Sequence, residues 1–168
     1  IRGNVQTRMN LAGSDQAHAV ILARAGLERL SLGEHISMAF DPTEFLPAAA
    51  QGALAIQTRS DDEEANELIG AIDDHASRTT SLAERQVLTT MRCGCHAPVG
   101  VHAQLDGDRL SIRAFVSDVN AENFISRIES GPAGNGIDLA RSLAEQLLSA
   151  GGAQILEELE KSRSDDNS

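Results

Sequence analysis

The sequence predicts an α/β fold over its first part, followed by a small α+β domain that contains a three-stranded antiparallel sheet and helices. Three patterns support this prediction. A continuous apolar run at positions 19–23 precedes a helical pattern, a second such run covers positions 53–56, and apolar residues alternate with others from position 99 onward. Continuous apolar runs are typical of buried parallel strands, whereas alternation is typical of a sheet with one covered face.

The first part of the chain contains pieces of an α/β fold. The run at 19–23 predicts a buried strand, and Leu27 and Leu30, at helical spacing, predict a helix directly after it. Prolines that follow Asp41 and Leu46 indicate a connector between two lobes. The run at 53–56 predicts another strand. Residues 61–72 then predict a helix whose apolar face is formed by Ala65, Leu68, Ile69 and Ile72.

The second part begins with a helix. Ser81-Leu82-Ala83-Glu84 fits a capping box, although the helical pattern also permits an earlier start near Ala76. Residues Ala83, Val87 and Met91 share one face of this helix, which we expect to stop at Gly94.

Strands and two further helices complete the prediction. Asp106-Gly107 separates two alternating runs and predicts a hairpin, and residues 124–128 predict a third strand. A helix marked by Leu139, Leu143 and Leu147 follows. Gly151-Gly152 interrupts it, and a short final helix comes after the interruption.

Charge and composition exclude several classes of protein. The chain carries 25 acidic and 14 basic residues, a formal net charge of −11, which argues against nucleic-acid binding because such proteins usually present a basic face. No apolar run is long enough to predict a membrane-spanning helix, and no secretory signal is visible. We therefore expect a cytoplasmic, reduced protein. Because the chain begins at Ile1 rather than Met, we also expect it to be the downstream part of a longer polypeptide.

Both cysteines, Cys93 and Cys95, fall in one decapeptide that ends in Pro98-Val99-Gly100. Gly94 and this turn-forming stretch predict an open environment for the Cys95 thiol, suited to covalent attachment or nucleophilic chemistry once a nearby positive charge lowers its pKa. The alternative is a buried, inert cysteine. A metal site made by the two cysteines and His96 lacks a fourth ligand at structural-zinc spacing, so we expect no metal. A Cys-His hydrolase has no motif around any histidine.

Five blocks of the sequence, in order, resemble the porphobilinogen deaminase family, also called hydroxymethylbilane synthase. They span essentially the whole chain but only the downstream part of the family's length. The blocks are RGNVQTR at 2–8, ILARAGLERL at 21–30, PAAAQGA at 47–53, AER at 83–85 and GCHAPVG at 94–100. Ala50 stands where many members have Gly, and Gln57 where many have Glu.

The resemblance implies a transferase that joins four porphobilinogen units into hydroxymethylbilane, with release of ammonia, in tetrapyrrole and haem biosynthesis. It implies a dipyrromethane cofactor attached through a thioether to Cys95, while Cys93 is structural. It also implies that Arg2, Arg8 and Arg29 bind the acetate and propionate groups of substrate, and that Arg2 and Arg8 contact the cofactor. Arginine suits this role because its fork binds carboxylates bidentately. Gln51 and Gly52, at the connector, are further expected cofactor contacts.

The resemblance also implies a domain organisation. Residues 1–46 would complete a second α/β lobe, residues 47–72 would return to the first lobe, and residues 73–168 would form the cofactor-attachment domain. The lobes of the family resemble periplasmic binding proteins, and motion around the connector at 46–51 would let the cleft accommodate each added ring. Expected partners are porphobilinogen, the growing polypyrrole chain and the missing N-terminal part, without nucleic acid or membrane.

No residue here matches the family's general acid/base aspartate, which belongs to the upstream lobe. We therefore name no certain catalytic residue and expect the isolated chain to have little or no turnover. The alternative is a non-catalytic binding or interaction module derived from this enzyme.

Overall fold

A computed structural model describes residues 1–94 and 97–166. The chain divides into two compact units, Ile1–Phe40 and Asp41–Ser168. The domain boundaries expected after residues 46 and 72 stay predictions. None of the helices in the described part of the chain combines the length and apolar character needed to cross a bilayer.

The first unit contains two short helices, α1 (Val5–Met9) and α2 (Arg24–Arg29), and a 3₁₀ turn, Gly33–His35. The predicted helix after position 23 is thus confirmed. The predicted strand at 19–23 is wrong for the described residues: it has no ladder, and Ile21 is 65% exposed. A strand persists only where neighbouring strands pair its backbone groups, and the described residues of this unit offer only isolated bridges among residues 12–17.

Two helices precede the strands of the second unit. Helix α3 (Glu63–Gly70) is capped by Asp62, and α4 (His75–Met91) is capped by Asp74, whose carboxylate accepts a 2.7 Å hydrogen bond from the Ser77 N–H. The earlier start of α4 is therefore correct and the capping box at Ser81 is wrong, because Asp74 already satisfies the first turn. The apolar run at 53–56 forms no strand among the described residues, and Leu54 is 84% exposed.

The predicted antiparallel sheet is confirmed, with strand order β1-β2-β3. Its strands are β1 (Val99–Asp106), β2 (Arg109–Ser117) and β3 (Phe124–Pro132). The β1–β2 register pairs Val101 with Ala114, and the turn uses Gly107 at a φ of +57°, a left-handed conformation that glycine adopts easily.

Helix α5 (Gly136–Leu147) follows the sheet, and α6 (Ala153–Asp166) ends the described chain. Between them, residues Leu148–Gly152 form a π-helical turn that is kinked at Gly151, which has a φ of +115°. The interruption predicted at Gly151-Gly152 is confirmed.

One face of the sheet is covered by α4 and α5, and the main hydrophobic core lies between these layers. The fully buried core side chains come from both helices and strands, and the largest are Val87, Val101, Leu110, Ile112, Val116, Leu143 and Leu147. The other face of the sheet lacks a helical cover: Phe124 is 57% and Ile128 52% exposed. The alternation along each strand therefore separates a buried face from an open one.

Candidate functional site

The segment Arg2–Arg8 is organised by a helix cap and a folded arginine. The Asn4 side chain accepts a 2.8 Å hydrogen bond from the Thr7 N–H, which satisfies one of the first backbone donors of α1. Nε of Arg8 donates to the carbonyl of Gly3 at 2.9 Å. Gly3 has a φ of +110°, and a side chain there would press against Thr7, so only glycine suits this turn. The motif thus fixes the root of Arg8 against its own helix start.

Helices α1 and α2 approach each other at Gly26, where a Cβ atom would lie 4.0 Å from Cγ2 of Val5. Arg8 lies three residues after Val5, and Arg29 lies three residues after Gly26. Side chains three apart share a helix face. Arg8 and Arg29 are thus on the helix sides that include Val5 and Gly26.

The three predicted arginines differ from Arg24 in their ion pairing. Arg24 binds Glu28 at 2.6 Å, whereas within the described first unit no carboxylate pairs with Arg2, Arg8 or Arg29. Arg2 and Arg29 are exposed and Arg8 is half-buried. These guanidinium groups are available to carboxylates of a ligand.

The connector that carries Gln51 and Gly52 is attached to the sheet. Val101 of β1 donates its N–H to the carbonyl of Pro47 at 2.9 Å, and Ala49 packs against the core. Two residues of the connector adopt positive φ: Ala50 at +56° and Gly52 at +86°. Gln51 is exposed.

Glu84 is a buried carboxylate that the sequence interpretation missed. Its side chain is on the core-facing side of α4, and the residue is only 7% exposed. Oε2 accepts a 2.6 Å hydrogen bond from the Ala50 N–H, and Oε1 accepts a 2.7 Å hydrogen bond from the Ala103 N–H. Nδ1 of His102 lies 3.8 Å from Oε1. Glu84 therefore joins the connector, α4 and β1.

A signal for this role was present in the sequence. Glu84 stands three residues before Val87 and seven before Met91, so it shares the apolar stripe of the helix. An acidic residue on such a stripe must find hydrogen-bond donors in the interior, because an unpaired buried charge is very costly. The capping-box interpretation hid this role, because it assigned the Glu84 carboxylate to the first turn of a helix rather than to the interior.

Cys93 and the residues around it are positioned by the end of α4. Arg92 adopts the left-handed conformation, with a φ of +52°, and turns the chain away from the helix axis. The thiol of Cys93 is half-buried, packs against the core and donates to the carbonyl of Leu88 at 3.9 Å. This supports the structural role expected for Cys93. Cys95 and His96 lie outside the described residues.

The described residues on either side of Cys95 and His96 are anchored. The Ala97 N–H donates to the carbonyl of Gly94 at 3.1 Å, and the Ser117 N–H donates to the carbonyl of Pro98 at 3.0 Å. Gly100 pairs with Phe115 across β1 and β2, and a Cβ at position 100 would overlap the Phe115 ring. The last glycine of the cysteine motif is therefore needed for packing across the strands.

The described residues of the second unit form, among other surfaces, a pair of open clefts. One, of about 900 Å³, is lined by Cys93 and Gly94 together with Glu145, Glu157 and Glu160. Arg92 lines the same cleft, and Lys161 pairs with Glu157 at 2.7 Å, so charges of both signs lie along it. The other, of about 520 Å³, lies on the open sheet face beside Arg113 and Phe124.

Asp41 lies two residues before Thr43, which lines the second cleft. Both the hydroxyl and the backbone N–H of Thr43 donate to Asp41 at 2.7 Å, and these hydrogen bonds hold the pKa of Asp41 below its usual value. Asp41 therefore stays negatively charged at neutral pH.

The described residues contain no group of three His, Cys, Asp or Glu side chains that could hold a metal ion. The candidate ligands Cys95 and His96 fall outside that part of the chain.

The structure groups the predicted site residues into two sets. Arg2, Arg8 and Arg29 belong to the first unit, where the helices bearing the latter two are in contact. Gln51 and Gly52 belong to the second unit, where the same carboxylate, Glu84, binds the adjacent Ala50 and strand β1.

Two family models match this chain. Residues 1–67 match the model described as porphobilinogen deaminase, dipyromethane cofactor binding domain, and residues 78–149 match that described as porphobilinogen deaminase, C-terminal domain.

Individual relatives agree with these matches. A porphobilinogen deaminase of Corynebacterium diphtheriae is 40% identical over 156 residues, which cover 93% of this chain and 53% of the relative. Proteins of the same name from Roseiflexus and Maridesulfovibrio salexigens are 37% and 36% identical, over 93% and 94% of this chain and 51% of each relative. The chain thus spans about half the length of the relatives it matches.

We expect Ala50→Gly to raise the free energy of unfolding by about 0.5 to 1 kcal/mol, because the left-handed backbone at Ala50 strains a side chain but not glycine. Urea unfolding of the chain measures this. The matched control is Ala53→Gly, three residues on and without a positive φ, which should lower the stability by about 0.4 to 1 kcal/mol. Equal destabilisation by both substitutions would contradict the assignment of strain to Ala50.

Proposed function

Because the chain belongs to the porphobilinogen deaminase family, we propose that it is part of a transferase that joins porphobilinogen units head to tail into hydroxymethylbilane. Ammonia is released at each addition, and the product serves haem and other tetrapyrrole biosynthesis. The observation that carries this proposal is the 40% identity over 156 residues to an enzyme of that name. Since the chain spans about half of that relative, the activity is assigned to the whole protein.

Cys95 is proposed to hold the dipyrromethane cofactor through a thioether. Loss of ammonia from porphobilinogen leaves an electrophilic methylene-pyrrole, which a thiolate captures to give a stable carbon–sulfur bond. The attached group supplies the free pyrrole end to which units are added. Its immediate neighbour Gly94 is exposed, and a Cβ there would meet nothing within 4 Å, so the chain beside the thiol leaves room for a bulky adduct. Cys93, directed toward the Leu88 carbonyl, is not the attachment point.

The donor set of the first unit fits a ligand of this kind. Each pyrrole carries an acetate and a propionate, and Arg2, Arg8 and Arg29 have no carboxylate partner within the described first unit. We assign Arg2 and Arg8 to both cofactor and substrate, and Arg29 to substrate. The net charge of −11 repels such a ligand at a distance, but salt screens that repulsion beyond about 10 Å. Gln51 and Gly52 are assigned to cofactor binding, where the exposed backbone of the connector allows close approach.

The finer fold assignment is also a proposal. We infer that residues 1–46 and 47–72 belong to two α/β lobes like those of periplasmic binding proteins, and that residues 73–168 form the cofactor-attachment domain. The exposed apolar side chains of Leu68 and Ile72, four residues apart, support this, because neighbouring large apolar residues on a surface usually face a partner. A structure of the whole protein in which 19–23 and 53–56 remain outside any sheet would contradict the lobes.

Intact mass spectrometry of the whole protein tests the attachment site. Wild type and Cys93→Ser are expected to carry a two-pyrrole adduct, and Cys95→Ser is expected to lose it, since a hydroxyl does not replace the thiolate as nucleophile. Cys93→Ser is the matched control, two positions away. An adduct that survives in Cys95→Ser would refute the assignment, and a wild type without any adduct would favour a non-catalytic binding module.

Steady-state kinetics of the whole protein test the arginines. We expect Arg8→Lys to raise the KM for porphobilinogen about tenfold, because an ammonium cannot form the bidentate contact of a guanidinium with a carboxylate. The control is Arg24→Lys, on α2, whose guanidinium is already bound to Glu28 and whose replacement should leave KM unchanged. Similar KM values for the two variants would argue against Arg8 as a substrate ligand.

The isolated 168-residue chain is expected to form no hydroxymethylbilane from porphobilinogen, because the family's acid/base aspartate has no counterpart in it. The assay compares the chain with the whole protein at equal concentration. Turnover by the chain at a rate near that of the whole protein would show that the acid/base group lies within these residues.

A further inference from the structure

We propose that Glu84 is a positioning residue, which holds the connector, helix α4 and strand β1 as one body and so fixes Gln51 and Gly52 relative to the two ends of the cysteine loop. The functional part of this inference rests on the proposed function. The geometric part rests on the two hydrogen bonds that the Glu84 carboxylate accepts.

The carboxylate uses both oxygens on backbone donors far apart in sequence. The Ala50 N–H donor lies 34 positions before Glu84, and the Ala103 N–H donor lies 19 positions after it. Their lengths of 2.6 and 2.7 Å are those of charge-assisted hydrogen bonds, which are stronger than neutral ones. Since Glu84 is 7% exposed, solvent does little to weaken either bond.

The elements joined by Glu84 are the two stems of the loop that contains Cys95. Helix α4 ends at Met91, about two turns after Glu84 at about 3.6 residues per turn, and β1 begins at Val99, shortly before Ala103. Tying α4 to β1 therefore fixes the separation of the two ends of the loop. The hydrogen bond from the Ser117 N–H to Pro98 continues this anchoring at the loop's second end.

The connector is attached to the same body at two points. The Pro47 carbonyl accepts from the Val101 N–H, and the Ala50 N–H binds Glu84. Residues between these points move with the sheet while both bonds persist. The Gln51 N–H donates to the Ala48 carbonyl and the Ala53 N–H donates to the Ala50 carbonyl, both at 3.1 Å, so Gln51 and Gly52 follow the attached residues. The connector motion expected at 46–51 is therefore confined to Leu46.

A glutamine at position 84 has the shape of glutamate but only one acceptor oxygen. Its amide oxygen can accept from the Ala50 N–H or from the Ala103 N–H. Its NH₂ group then faces the other N–H, and two donors cannot form a hydrogen bond with each other. Glu84→Gln thus removes one tether while it preserves the packing of α4. A matched control is Glu129→Gln on β3: Glu129 accepts from the side chain of Gln146 at 2.6 Å, and a glutamine there can still accept that bond.

The test uses the whole protein and two readouts. In Glu84→Gln the amide that loses its acceptor, Ala50 or Ala103, should exchange with solvent at least about tenfold faster, as expected for the loss of one hydrogen bond to a charged group, while the Ile112 and Val116 amides of β2 keep their rates. The kcat for hydroxymethylbilane, counted per chain that carries the adduct, should fall about tenfold, with a smaller change in KM. Glu129→Gln should alter neither readout.

Three results would overturn the proposal. Unchanged exchange at both Ala50 and Ala103 in Glu84→Gln means that Glu84 does not tie the connector to β1. Faster exchange with an unchanged kcat per loaded chain means that Glu84 serves stability alone. In the wild type, an Ala50 amide that exchanges as fast as the Gly52 amide also contradicts the tether, and this measurement remains available if the variants do not fold.

Failure of the proposed function gives a different result from failure of the tether. A wild-type protein without adduct or product contradicts the transferase assignment, yet its amide exchange still reports on Glu84. Glu84→Asp, which keeps the charge but is one methylene shorter, should fall between wild type and Glu84→Gln in both readouts.

Discussion

Burial of one face of the β1-β2-β3 sheet under α4 and α5 is the constraint on which the second unit depends. Aliphatic side chains from strands and helices meet there without an aromatic residue, and Val101, Ile112 and Leu143 are fully buried. Close packing of aliphatic side chains fixes the position of each element against its neighbours. The loop after α4 and the connector before α3 take their positions from this core, since both are hydrogen-bonded to β1 or β2.

The Glu84 carboxylate at the edge of this core holds backbone groups that apolar packing alone cannot hold. Beside the apolar contact of Ala49 with the core, Glu84 gives the half-buried Ala50 N–H and the buried Ala103 N–H a charged acceptor. Removing such an acceptor leaves buried donors unsatisfied, which costs more than the net value of the bonds. The same residue therefore serves the fold and, through the connector and the loop stems, the site proposed for the cofactor.

The sequence patterns succeeded where local rules and burial agree. The hairpin at Asp106-Gly107, the third strand and the interruption at Gly151 were all predictable, because alternation and glycine chemistry are local. The patterns failed at positions 19–23 and 53–56, where apolar runs form no strand in the described chain. Such runs indicate a strand only if partner strands exist, and no local rule supplies partners. The capping box at Ser81 failed because Asp74 starts the helix two turns earlier.

The sequence by itself determined the family, the antiparallel sheet and the residues proposed to bind cofactor and substrate, because ordered motifs and side-chain alternation are properties of the linear chain. Only the tertiary structure decided that the Glu84 side chain binds the Ala50 and Ala103 N–H groups outside its own helix, and that the Cys93 thiol points toward the Leu88 carbonyl. Hydrogen bonds between residues tens of positions apart depend on how the elements pack, and packing is not encoded in any short stretch of sequence.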